Sequence, residues 1–233
     1  MDGSINPYSQ LLQFNGSSIV LGRQDDAHIH SSTFSPNNNY IFAPDLGSDK
    51  IRVLQLDSTG TLITFDSLDI TLKNGSGPRH FTFHPNNKYA FCINELSGTV
   101  SAYSFINGKL IFINDYFSYS KQQETYGSSD IHISPDARFL YASNRWRDEN
   151  TISIFSINIT NGTLLLVGHQ KTFGDHPRSF VIDPTGNFIL VANQATGNIV
   201  VFKRNTETGL LTKSKTLVKV NLPSILKIKN YRF

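Results

Sequence analysis

Apolar and polar positions along this chain fall into short stretches suited to strands, and the arrangement repeats. Four segments align without gaps around a proline: Ser35-Pro36-Asn37-Asn38-Asn39-Tyr40-Ile41-Phe42, His84-Pro85-Asn86-Asn87-Lys88-Tyr89-Ala90-Phe91, Ser134-Pro135-Asp136-Ala137-Arg138-Phe139-Leu140-Tyr141 and Asp183-Pro184-Thr185-Gly186-Asn187-Phe188-Ile189-Leu190. The prolines stand 49, 50 and 49 residues apart. An aromatic residue (Tyr40, Tyr89, Phe139, Phe188) and an apolar neighbour recur after each proline. Self-similarity at such a period marks a repeat architecture whose units stack to share a core.

Each period reads as four short antiparallel strands. In the second unit, residues 80–84 precede a Pro-Asn-Asn turn, then 88–94, the third strand 99–105, the turn Asn107-Gly108 and a fourth strand 109–116. Proline and paired asparagines set turn geometry, and Asn-Gly supplies the positive φ of a tight hairpin. Residues 50–56, 151–157 and 198–203 are the matching third strands; the fourth follow Thr59-Gly60, Asn161-Gly162 and Thr208-Gly209. Four strands per period of about 50 residues predict β-propeller blades. The expectation is an all-β propeller with about four blades, repeating over 30–78, 79–128, 129–177 and 178–222 within one domain, 1–233. A β-sandwich would also have short strands but would not repeat its sequence at this period.

Composition adds limits. The chain has 233 residues, with 17 Phe and 9 Tyr that favour strands, and a net charge of +3 from 21 basic and 18 acidic residues. That balance is too mild for a nucleic-acid protein, and the basic tail (Lys213, Lys215, Lys219, Lys227, Lys229) lacks interleaved stacking aromatics. No stretch of eighteen apolar residues suggests a membrane span, and the first residues lack the basic and apolar regions of a signal peptide, so a cytoplasmic protein is expected. Cys92 is the single cysteine and lies in an apolar run, which suits packing more than reactivity.

The repeat register also places side chains. Strands one and two of a blade are antiparallel, so the start of one meets the end of the other. Six residues before each proline stand His30, Arg79, Ser129 and Arg178. Nine and ten residues after it stand Asp45-Leu46, Asn94-Glu95, Asn144-Arg145 and Asn193-Gln194. Both sets should ring the mouth of the central channel. Blade-building positions barely vary between repeats, whereas these positions vary in identity and stay mostly polar or charged, the pattern of a concave site. A plainer reading pairs Arg79 with Glu95, and Arg145 with Asp130, as structural salt bridges; Arg178 and His30 have no such partner in their own blades. His28-X-His30 has a metal-like spacing, but no Cys or carboxylate cluster completes a zinc set. His80, His84 and His132 alternate with apolar residues and suit core or lining roles. Trp146 either caps the channel mouth or shields a blade edge.

At these residues the chain resembles the propeller lactonases, the family of 6-phosphogluconolactonase and carboxy-cis,cis-muconate cyclase. The resembling stretches run in the family's order from Gly22-Arg23-Gln24 and His28-Ile29-His30-Ser31 through Pro44-Asp45-Leu46-Gly47, Gly77-Pro78-Arg79-His80-Phe81, Asn94-Glu95-Leu96, Ser129-Asp130-Ile131-His132-Ile133, Ser143-Asn144-Arg145 and Pro177-Arg178-Ser179-Phe180 to Ala192-Asn193-Gln194. The resemblance implies a seven-bladed propeller whose catalytic His, Glu and two Arg correspond to His30, Glu95, Arg79 and Arg145. It extends substrate binding to Arg23, His28, Asp45, His132, Arg178 and Gln194, with no metal or other cofactor. The implied activity is hydrolysis of an anionic sugar lactone, most simply 6-phospho-D-glucono-1,5-lactone in the pentose phosphate pathway. Arginine forks bind carboxylate or phosphate, one of them could hold the oxyanion, and His30 or Glu95 could take the proton of water. The alternatives are cyclisation of a carboxymuconate, a non-catalytic binding propeller or an inactive remnant; the repeats lack the recurring Trp-Asp pair of many protein-binding propellers. With about four of seven blades legible, roughly 100 to 150 residues are expected to be missing before the first repeat. The open arc would then aggregate or self-assemble through its unpaired edges.

Overall fold

The computed structural model describes residues 4–5, 7–146 and 149–229. Four antiparallel sheets follow one another along the chain. The first comprises β1 (Thr33–Phe34), β2 (Ile41–Asp45), β3 (Lys50–Leu56), β4 (Leu62–Thr64) and, beyond a 3-10 turn at Asp66–Leu68, β5 (Ile70–Thr71). The second holds β6 (Pro78–Phe83), β7 (Tyr89–Asn94), β8 (Thr99–Ile106) and β9 (Lys109–Phe117). The third holds β10 (Ser128–Ile133), β11 (Phe139–Asn144), β12 (Thr151–Ile157) and β13 (Leu164–Lys171). The fourth holds β14 (Pro177–Ile182), β15 (Phe188–Asn193), β16 (Asn198–Arg204) and β17 (Leu211–Lys219). Inner strands β6, β10 and β14 are neighbours, and β2 meets β6, as blades of a propeller do.

The first–second strand turn is built identically in each blade. Asn38, Asn87, Ala137 and Gly186 hold φ of 57°, 62°, 62° and 74°, and the residue preceding the proline accepts the backbone N–H three residues on. Asparagine and glycine tolerate this left-handed geometry, and alanine does so at a cost.

The second strands are the most protected. Every residue of β7 and β11 is buried, because both faces of these strands meet a neighbouring blade. Phe91, Ile93, Val100 and Leu140 pack between the second and third blades; Tyr141, Ile154, Phe180 and Phe202 pack between the third and fourth. Each such side chain contributes about 1.5–3 kcal/mol on full burial. Cys92 is buried in the cluster that joins the first two blades.

The outer strand of the first blade departs from the expected four-strand unit. Asp69 turns its carboxylate to the Val53 N–H (2.9 Å) and to Arg52 Nη1 (3.2 Å), interrupting the ladder, so the outer strand splits into β4 and β5 on either side of the turn. The other blades keep one continuous outer strand with a bulge at the corresponding level.

Candidate functional site

The inner strands carry the site, and bulges aim it. The β6–β7 register shifts between Pro78 and His80, β10–β11 between Ser128 and Ile131, and β14–β15 between Pro177 and Ser179. A bulge adds a residue on one strand and re-aims side chains. Arg79, Ser129-Asp130 and Arg178 fall in these shifts. Hydrogen bonds one repeat apart then stitch blade to blade: Ser31 Oγ donates to Arg79 O (2.8 Å), Arg79 Nη1 to Ser129 O (2.5 Å), and Ser129 Oγ to Arg178 O (2.6 Å).

Glu95, at the end of β7, gathers three guanidinium groups. Its Oε2 accepts Arg79 Nε (2.7 Å) and Arg145 Nη2 (2.9 Å), and its Oε1 accepts Arg23 Nη2. Glu95 and Arg79 are 4% and 2% exposed, while the Arg23 side chain is half in solvent. Burial alone would raise the Glu95 pKa, but Arg145, Arg79 and Arg23 outweigh it and bring it down to about 2. Burial, then the neighbouring Arg145, lowers Arg79 to about 10, and Glu95 offsets part of this, so Arg79 is still a cation at neutral pH. Glu95 therefore organises cations more readily than it accepts a proton. Glycines permit the close turns here. Gly77, at φ 62°, accepts the Glu95 N–H (2.7 Å), and a Cβ on Gly127 would lie 2.4 Å from Arg145 O.

Arg79 also borders a cavity of about 580 Å³ lined by His30, His80, Asp130, His132 and Arg178, with Ser224–Lys227 along one side. Among the described residues, His30 Nδ1 is buried without a hydrogen-bond partner. Burial first, then Arg79 and His80, push the His30 pKa down to about 4, so its imidazole is neutral near pH 7. Among the described residues no carboxylate pairs with Arg178, whose charge is felt at Arg79, Arg145 and His176. The result is a surplus of cations around an open, polar space.

The chain is similar to known proteins over nearly its whole length. Residues 1–228 match the family described as Lactonase, 7-bladed beta-propeller. The chain belongs to this family. A 6-phosphogluconolactonase of Formosa agariphila is 53% identical over 231 residues, which are 98% of this chain and 65% of the relative. The 6-phosphogluconolactonase of Bacillus subtilis is 38% identical over 88% of this chain and 58% of its own length. Among solved structures, the periplasmic gluconolactonase PpgL of Pseudomonas aeruginosa superposes with a TM-score of 0.89 at 35% identity, covering 96% of this chain and 62% of that one. The lactonase-family chain thus spans less than two thirds of these relatives' lengths.

Within the lactonase frame, the residues expected at the site separate into three groups. Arg23, Arg79, Glu95 and Arg145 form one ion-pair cluster, and His30, His132 and Arg178 line the cavity that Arg79 shares. His28, Asp45 and Gln194 are not among the lining residues. Asp45 is fully buried and accepts the His28 N–H (2.7 Å), Ser48 Oγ (2.5 Å) and both Nε and Nη2 of Arg52 (3.2 and 3.0 Å). His28 is exposed, with its ring beside Gly47, and does not line the cavity that holds His30. Gln194 gives its backbone N–H to His176 O (2.9 Å). The Arg79–Glu95 pair exists, but Arg145 does not pair with Asp130. Asp130 is occupied instead by His80 Nδ1 (2.8 Å), His132 Nε2 (3.2 Å) and the Phe180 N–H (3.1 Å), and Arg145 reaches across the blade boundary to Glu95. Trp146 is 42% exposed and donates Nε1–H to Thr125 Oγ1 (3.0 Å).

Four further residues touch or support this arrangement: His80, Asp130, His176 and Asp49. The first two occupy the repeat position five before the proline, which holds Ser31, His80, Asp130 and Ser179 and is as polar as the ring beside it. His176 Nε2 meets Arg145 Nη1 at 2.7 Å. Asp49 accepts Ser18 Oγ (2.6 Å), Gln24 Nε2 (2.9 Å) and the Gly75 and Gly77 N–H groups (both 2.7 Å), which fixes the loop that delivers Arg23. Its signal was an aspartate (φ 53°) where other repeats carry Gly98 and Gly197, both at positive φ.

Proposed function

We propose that this chain carries the lactone-opening site of its family and acts on 6-phospho-D-glucono-1,5-lactone or a closely related anionic sugar lactone. The observation that carries the reading is the convergence of Arg23, Arg79 and Arg145 on one buried carboxylate, next to a cavity that also holds the unpaired Arg178 and the neutral His30. Such a site favours a small molecule with negative charge. The relatives' names favour opening of a lactone over cyclisation of a muconate.

In the proposed reaction, water attacks the lactone carbonyl carbon while His30 takes its proton. The carbonyl oxygen becomes an oxyanion, held by the Arg79 guanidinium, whose charge is fixed and whose position is set before reaction. The tetrahedral intermediate then collapses, the ring C–O bond breaks, and the leaving alkoxide takes the proton back from His30. One water is consumed and one hydroxy acid is formed. A pKa near 4 makes His30 a weak base in the empty site, and a bound anion raises it toward the working pH. Arg178, which lines the cavity, holds the substrate's anionic group. A phosphorylated sugar crosses bilayers poorly, so the cytoplasm is the matching compartment. No helix among the described residues is long and apolar enough to cross a membrane.

The test follows lactone disappearance with 6-phosphogluconolactone, unphosphorylated gluconolactone and a carboxymuconate in parallel. The phosphorylated lactone should be opened fastest, and His30→Gln should lower its kcat about 100-fold or more. Turnover of the muconate alone, or a rate unaffected by His30→Gln, would overturn the reading.

A further inference from the structure

Arg79 is held by a hydrogen-bonded chain that begins one blade away. Arginine has donors only, so the His80 Nε2 that lies 3.1 Å from Arg79 Nη1 must be the acceptor. The His80 proton is then on Nδ1, 2.8 Å from Asp130 Oδ1, a direction that a carboxylate accepts. Asp130 is itself pinned: its Oδ2 takes the Phe180 N–H (3.1 Å) and faces His132 Nε2 (3.2 Å). Burial works to raise the Asp130 pKa, but His132 and His80 hold it well below the carboxylate range. His80 is lowered by burial first, with Asp130 offsetting part of the shift.

The donors of Arg79 complete the argument. Nε–H goes to Glu95, and the two Nη1 protons go to Ser129 O (2.5 Å) and His80 Nε2. Three of five N–H groups are fixed, and among the described residues nothing receives the two on Nη2. Those two remain for a ligand in the adjoining cavity. We infer that His80 and Asp130 are positioning residues: Asp130 locks His80 as the Nδ1–H tautomer, and the bare Nε2 then orients the Arg79 fork so that Nη2 faces the substrate. The catalytic consequence rests on the lactone-opening reading above; the tautomer does not.

The logic matches that of a carboxylate that keeps a catalytic histidine in its working tautomer. Asp130→Asn presents an NH2 group as well as an oxygen. His80 is then free to place its proton on Nε2, where a donor would confront the donor of Arg79. His80→Gln puts an amide oxygen near the Nε2 position and needs no tautomer.

The experiment assigns the His80 tautomer by ¹⁵N chemical shifts in the wild-type protein and in Asp130→Asn, and measures kcat and KM for both, for His80→Gln and for the double variant. The expected results are an Nδ1–H tautomer in the wild type and a shift toward Nε2–H in Asp130→Asn. The kcat should fall about 10- to 100-fold with KM little changed. In the His80→Gln background, Asp130→Asn should cost little more. An Nε2–H or doubly protonated His80 in the wild type at neutral pH would overturn the inference, as would equal losses from Asp130→Asn in both backgrounds. The wild-type spectrum decides even if a variant fails to fold. Absence of lactone opening by the wild type would count against the proposed function, leaving the tautomer to judge this inference separately.

Discussion

Glu95 and Asp130 are buried carboxylates in successive blades, and each is met by groups from a neighbouring blade. Glu95 receives three guanidinium groups, which keep their charge across the working pH range. Asp130 receives two imidazoles and a backbone N–H. Glu95 stands ten residues after its blade's proline and Asp130 five before the next one, so two different repeat positions converge on the channel, one as a fixed field and the other as a device that sets orientation. Arg79 touches both, through Glu95 at 2.7 Å and His80 at 3.1 Å.

Glu95→Gln should break the fixed field and have the largest effect. It leaves three cations around a neutral amide, so unfolding in denaturant should show a loss of about 3–5 kcal/mol. Lactone opening should fall with it. Arg79→Lys comes next: the charge stays, but one ammonium cannot serve Glu95, Ser129 O, His80 and a ligand together. The kcat/KM should drop roughly 100-fold, about 2.7 kcal/mol of transition-state stabilisation, in steady-state assays.

Acid titration should separate His30 from Glu95. The folded pKa of His30 is lowered to about 4 from an ordinary 6.5, so the unfolded chain binds its proton first. Its penalty on stability is absent above about pH 6.5 and grows as pH falls toward 4. Glu95 is lowered to about 2 from 4.5, so its contribution is complete above 4.5 and is lost as pH falls toward 2. Denaturation midpoints across pH should show two successive declines, and His30→Gln should shrink only the upper one, to which His80 and His176, also lowered by burial, contribute. The smallest effect belongs to Ala137→Gly, outside both nodes. At φ 62° glycine relieves steric cost, and melting should report a gain of about 0.5–1 kcal/mol with kcat unchanged.

Much of this was legible in the sequence because the repeat supplies its own internal alignment. The proline turn, the third strands Lys50–Leu56 and Thr151–Ile157, and the convergence of Arg79 with Glu95 all follow from register. The Asp130 node was not legible for a specific reason. Strict alternation sends Arg79 and His80 to opposite faces, and only the bulge between Pro78 and His80 brings both to the channel. The partner of Arg145 was misjudged because proximity in sequence favoured Asp130, whereas the contact to Glu95 crosses a blade boundary. Asp45, polar in the ring by position, turns instead to Arg52 and Ser48, seven and three residues along the chain.

The most direct test is calorimetric titration with 6-phosphogluconate, the open-chain acid of the proposed substrate. One equivalent should bind to the wild type, binding should be strongly weakened in Arg79→Ala and Arg178→Ala, and Ala137→Gly should match the wild type. Undiminished binding in both arginine variants, or none to the wild type, would contradict an anion site assembled by these blades.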